Sequence, residues 1–265
     1  MAAGTRPGRR KRWWNAPRFD VVELVAITVT LTIIVVSILG VVPKNREELA
    51  LARRYGPTRY SEGPAEWIIR DFFQDRRDGF FVDVGANHYR QWSKTYYLES
   101  SLGWRGLAVE PQRDFAADYL THRPRTKFVP FFVSDVSNET AKMYVLSWNR
   151  TVTSGNRAFV EQYGANPREE TATTITLTDL FQAEGVERID FLNMDIELGE
   201  PKALMGLDLK RYRPELVCIE ALPEVRQFIL DYFAAGGYVV IGGYLRADSE
   251  NLYLTPLGRE RPTAR

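Results

Sequence analysis

From Gly79 to Val84 the chain reads Gly-Phe-Phe-Val-Asp-Val, four apolar residues around one acid, and then turns through Gly85-Ala86-Asn87. A near-continuous apolar run predicts a strand buried on both faces, as at the centre of a parallel sheet. The same pattern, an apolar run closing on an acid, recurs at Arg105–Val109 with Glu110, at Ile189–Met194 with Asp195, and at Leu216–Ile219 with Glu220. Helical patterns lie between these runs. Ser61–Gln74 reads as a helix with Ser61 as its cap, Pro64 in its first turn, and Trp67, Ile68 and Phe72 on its buried face. Further helices are predicted over Ser93–Ser101, Gln112–Thr121, Thr178–Ala183 and Pro223–Ala235, the last closed by Gly236-Gly237.

Lys127–Val133 predicts another strand, which Pro130 confines to a sheet edge or a bulge. Ala141–Ser147 and Thr173–Leu177 read as short strands, and the polar stretch Asn149–Glu170 between them as a mobile loop. Tyr238–Ile241 and Asn251–Leu254 pair as a terminal hairpin. Strand and helix alternate, so the expected fold is α/β, an open and mostly parallel sheet with flanking helices and a C-terminal β-hairpin.

The N-terminal pattern is different. Residues 21–42 are apolar except for Glu23 and a few Thr and Ser, and these 22 positions are long enough to cross a bilayer. The basic run Arg9-Arg10-Lys11-Arg12 and the pair Trp13-Trp14 precede them, as at a membrane interface. The stretch is too long for the apolar region of a signal peptide, and no A-x-A site follows it. The expected organisation is a basic tail over 1–20, a single transmembrane helix over 21–42, a short helix and linker over 43–60, a globular domain over 61–256 and a disordered tail over 257–265. Basic residues flank both ends of the span. Their bias towards a cytoplasmic N-terminus and an outward-facing domain is slight and leaves open which side of the membrane carries the domain.

Composition narrows the chemistry. The 265 residues carry a formal net charge of +1, which argues against a nucleic-acid partner. One cysteine, Cys218, excludes an internal disulfide and a cysteine zinc site, and two histidines give little material for a histidine one. Cys218 itself reads as packed core.

Ligands of open α/β sheets bind beyond the carboxyl ends of the strands, which places Asp83 to Asn87 at the expected site. Only one glycine stands there, against the three of a dinucleotide fingerprint, and no phosphate-binding G-x-x-x-x-G-K-[ST] occurs. An acid ahead of a single glycine suits a ligand with an amine and no phosphates, such as S-adenosylmethionine (SAM). Glu110, at the end of the neighbouring strand, is placed to accept both ribose hydroxyls. Ser134 and Asp135 follow the third strand, where an adenine amine would be met. Asp195, Glu197 and Glu200 cluster at the strand end near residue 195. A hard cation held by Asp195, Glu197 and Glu220 is a secondary reading of this cluster.

In this order, Phe81-Val82-Asp83-Val84-Gly85-Ala86-Asn87, Val109-Glu110-Pro111, Val133-Ser134-Asp135 and Ile189 to Glu197 resemble the FkbM family of SAM-dependent methyltransferases, over roughly residues 79 to 245. The resemblance implies a Rossmann-like class I methyltransferase sheet and O-methylation. It implies that Asp83, Gly85, Ala86, Asn87 and Glu110 hold the amino-acid and ribose parts of SAM, with Ser134 and Asp135 near the adenine. Asp195 and Glu197 then lie near the transferred methyl, with a carboxylate taking the acceptor's proton. The chain departs from the family at Leu198, where glycine usually follows the D-[IV]-E, and Gly199 comes one place later. That departure bears on the acceptor pocket and admits a rival role, a catalytically silent, membrane-tethered interaction module. The expected acceptor is a small molecule, glycan or lipid near a membrane.

Overall fold

The computed structural model of the chain describes residues 45–56 and 59–259. The basic tail and the apolar stretch 21–42 lie outside the described residues, as do residues 260–265. Among the described residues no helix is long and apolar enough to cross a membrane.

The elements run α1 (Arg46–Tyr55), α2 (Ala65–Phe73), β1 (Phe80–Val84), α3 (Tyr96–Leu102), β2 (Arg105–Val109), α4 (Ala116–His122), β3 (Thr126–Val129), β4 (Phe132–Val133), β5 (Thr140–Val145) and β6 (Thr153–Ser154). Then come α5 (Arg157–Glu161), β7 (Arg168–Ile175), α6 (Leu177–Ala183), β8 (Phe191–Met194), α7 (Glu200–Met205), α8 (Leu209–Tyr212), β9 (Leu216–Glu220), α9 (Pro223–Ala235), β10 (Tyr238–Val240) and β11 (Asn251–Pro256).

Seven strands form a mixed sheet in the order β10-β11-β9-β8-β1-β2-β3, in which β11 alone runs against its neighbours. The chain steps outward from β1 to β3 and then crosses to β8 on the other flank of β1. The switch point therefore falls between β1 and β8, where a crevice opens. Alternation along the strands divides the core. Val82, Val84, Leu192 and Met194 pack on one face with Phe181 and Ile229. Phe81, Phe191 and Cys218 pack on the other with Ile68, Phe72 and Trp104.

Two segments differ from the sequence pattern. Pro130 does more than confine its strand to an edge: β3 stops before it, and the chain leaves for a second sheet, ordered β4-β7-β5-β6. The stretch Asn149–Glu170, expected as a mobile loop, supplies β6, α5 and the start of β7 to that small sheet and its cover. Asn156 caps α5 by accepting the Phe159 N–H, and Phe159 and Val160 pack with Leu146 and Val152. The pattern looks polar because much of β7 faces solvent. The segment over 43–60 holds α1, which is tied to the domain: the Arg70 guanidinium donates to the Tyr55 carbonyl at 2.9 Å and the Tyr55 hydroxyl to Asp71 at 3.0 Å.

Candidate active site

A cavity of about 650 Å³ opens at the carboxyl ends of β1, β2, β8 and β9. That volume lies within the roughly 300–1,000 Å³ usual for small-ligand sites. Asp83, Gly85, Ala86, Asn87, Glu110, Asp195 and Glu197 all line it. The sequence-predicted residues from three separate runs thus converge.

Gly85 is the tightest point. Its φ is +80°, and a Cβ there would lie 1.8 Å from the carbonyl oxygen of Asp195. Only bare backbone lets the β1 turn pass the β8 turn this closely.

Asp83 faces inward. Its Oδ2 accepts from the Thr95 hydroxyl at 2.7 Å and its Oδ1 from the Asn193 amide at 2.7 Å. Burial raises its pKa, against the pull of those two hydrogen bonds. Asp83 therefore organises the loop between β1 and α3 as well as lining the cavity. Glu110 is likewise spent on backbone: Oε2 accepts the Asn87 N–H and Oε1 the Gln112 N–H, at 3.1 and 2.9 Å. Each carboxylate oxygen still offers a second lone pair. The Asn193 Oδ1 is buried with no hydrogen-bond partner among the described residues, and Asn193 lines the cavity.

Ser134 and Asp135 are not brought to the cavity. Because the chain leaves the main sheet at Pro130, both lie past β4 at the small sheet, where the Ser134 N–H donates to the Ile175 carbonyl and its hydroxyl to Asp135. Phe131, Phe132 and Val133 form the cavity wall on this side instead.

A loop from the small sheet covers the Glu110 side. The Arg150 carbonyl accepts from the Asn87 amide at 3.2 Å, the Gln112 amide at 3.0 Å and the Thr153 hydroxyl at 3.0 Å. The Ser154 hydroxyl reaches across to the Glu197 carbonyl at 2.5 Å.

At the β8 end, Asp195, Glu197 and Glu220 bring carboxylate oxygens within 4.8 Å of one another. Burial, then Asp195, then Glu200 push Glu197 up to about 8. Burial and Asp195 raise Glu220 to about 9, and its Oε2 has no hydrogen-bond partner among the described residues. Asp195 differs from both, because the Lys94 ammonium donates to its Oδ2 at 2.8 Å. Burial opposes the charge on Lys94 and is the largest single influence, but Asp195, Cys218 and Glu220 together outweigh it and hold the ammonium above its ordinary pKa.

Sequence reasoning missed Lys94. The available signal was a lysine in the first turn of a predicted helix, where the dipole disfavours a cation. Gln112 was missed too, having been read only as the first residue of a helix.

Leu198 has a structural account. Its φ is +73° and that of Glu197 is +54°, so the turn after β8 takes two consecutive left-handed residues. Glycine would meet that backbone without strain. Here Leu198 packs against the Leu146, Val152, Phe159 and Val160 cluster of the small sheet.

The profile of the Methyltransferase FkbM domain matches residues 83–240. The crystal structure of a precorrin-6Y C5,15-methyltransferase from Geobacter metallireducens GS-15 is similar over 71% of this chain and 84% of its own, at 9% sequence identity and a TM-score of 0.36. No curated protein matches the chain.

Proposed function

Since the chain belongs to the FkbM methyltransferase family, we propose that its cavity takes SAM and that it methylates an oxygen of its acceptor. The observation that carries this reading is the close pass of Gly85 against the Asp195 turn, at the head of a cavity with acids at both ends. The residues fit the ligand. The unpartnered Asn193 Oδ1 offers an acceptor to an amino group. Glu110 has lone pairs to spare for a diol, and Phe131 to Val133 give an apolar wall for a purine.

When bound, SAM supplies an electrophilic methyl group on its sulfonium. The protein's part is to hold the acceptor oxygen in line and to remove its proton. Glu197 suits the second task best. No hydrogen bond reaches its carboxylate among the described residues, and a pKa of about 8 makes it a stronger base than an ordinary glutamate. Asp195, held by Lys94, fixes the charge beside it. The loop around Arg150 shields the Glu110 side from water.

The apolar stretch 21–42 is proposed as a single membrane anchor, which makes a membrane-associated glycan or lipid the favoured acceptor by proximity. Calorimetric titration of SAM into the detergent-solubilised full chain tests the cofactor reading. Micromolar binding that Gly85→Val abolishes and Glu197→Gln preserves is expected; no binding by the folded wild-type chain overturns it.

A further inference from the structure

Lys94 lies in the loop between β1 and α3, one residue before Thr95, which Asp83 anchors. Its side chain is 8% exposed. The ammonium donates to Asp195 Oδ2 at 2.8 Å and to Asn251 Oδ1 at 3.2 Å, leaving one N–H of its three. Around it stand Asp195, Glu197 and Glu220, with oxygens within 4.8 Å of one another. Carboxylates this close repel strongly in a sheltered cavity unless protons neutralise them or a positive charge stands among them. A hard divalent ion is one way to supply it. In this chain the positive charge already present is an amine, delivered from a different strand end and held by an amide on β11.

We propose that Lys94 is the resident cation of the carboxylate cluster and stands where a divalent ion would otherwise be required. It is a positioning residue: its hydrogen bond turns Asp195 to one side, which leaves Glu197 to meet the acceptor. Methyl transfer then runs without a divalent ion. The consequence for rate rests on the methyltransferase reading given above; the consequence for ion binding does not.

Mn²⁺ is therefore the probe, followed by the loss of its free-ion paramagnetic resonance signal on titration with the full chain. Wild type is expected to show no site that depends on Glu220. Lys94→Met should gain one site at least tenfold tighter than anything in wild type, and adding Glu220→Gln should remove it. Lys94→Arg, which restores the charge, should not bind. If Lys94→Met fails to fold, as judged by circular dichroism, Lys94→Gln must show the same gain. A wild-type site abolished by Glu220→Gln overturns the proposal, as does a folded, uncharged variant without any gain. Chelation by EDTA should leave wild-type turnover unchanged. If the ion-binding results hold but no SAM binds, the methyltransferase reading fails and the role of Lys94 as resident cation stands.

Discussion

Replacing Gly85 by alanine is the sharpest perturbation of the site. The added Cβ would lie 1.8 Å from the Asp195 carbonyl oxygen, whereas real Cβ contacts essentially never fall under 3.0 Å. One of the two turns must therefore retreat by about 1.2 Å. The left-handed backbone at +80° adds a penalty of roughly 1–2 kcal/mol for any residue with a side chain. With the displaced carbonyl included, the total loss is expected near 3 kcal/mol. For a domain of this size that is a fall in Tm of roughly 6–12 °C. The effect on chemistry should be larger than the effect on folding. A shift of about 1 Å in reacting groups costs on the order of 10²-fold in rate, and the atoms displaced here belong to the turn that carries Asp195 and Glu197. Thermal unfolding and single-turnover methyl transfer, measured on the same preparation, test both parts. An alanine variant that keeps the wild-type Tm and rate would show that the turns do not pack as described.

Turnover should rise with pH through a midpoint near 8, as Glu197 loses its proton and becomes a base, and Glu197→Gln should lower it by about 10²–10⁴-fold without weakening SAM binding. Stability should move the other way. Glu66 and Glu200 are raised to about 7, Glu197 to about 8 and Glu220 to about 9. The folded state thus keeps protons that the unfolded chain gives up near 4.5, so stability falls as pH climbs from about 4.5 and levels off only above the folded values of about 7 to 9. A Tm that falls across that range, and falls less in Glu220→Gln, is expected by calorimetry. Leu198→Ala should cost about 1–2 kcal/mol from lost packing, and Leu198→Gly should be the more stable of the two because it relieves the φ of +73°. Urea titration of both variants reads the order, which is the reverse of that at an ordinary site.

The main sheet was legible because its central strands are buried on both faces, and burial writes itself into sequence as continuous apolar runs. Phe81 to Val84, Leu107 to Val109 and Leu216 to Ile219 all fell where the runs placed them. The acids and the glycine at the ends of those runs converged on one cavity for the same reason, since strand ends on one side of a parallel sheet are neighbours. What the sequence hid lies off that sheet. The small sheet is largely solvent-facing, so β7 carries Arg168, Glu169 and Glu170 where a core strand would carry valine. That the chain carries Ser134 and Asp135 to the small sheet was hidden because a proline that changes sheets looks, in sequence, like one that merely bends a strand. The inward turn of Asp83 and the reach of Lys94 are side-chain partnerships across long separations, and no local pattern announces them.

The grip on the Arg150 carbonyl has a kinetic meaning. Lifting Arg150 away breaks three hydrogen bonds to Asn87 and Gln112, each with a net worth of about 1 kcal/mol, and an exposed ion pair to Asp114 that adds little, so roughly one molecule in 150 has it released at any instant. Loops of this kind reclose within about a microsecond, and the released state then recurs every 150 µs or so, several thousand times a second. Enzymes commonly turn over at about 10 s⁻¹. A fastening of this strength is shut for more than 99% of the time, by the same rough count, yet opens hundreds of times for every catalytic event. Dryness and exchange are in this way separated by timescale, and the cavity needs no dedicated hinge to reconcile them.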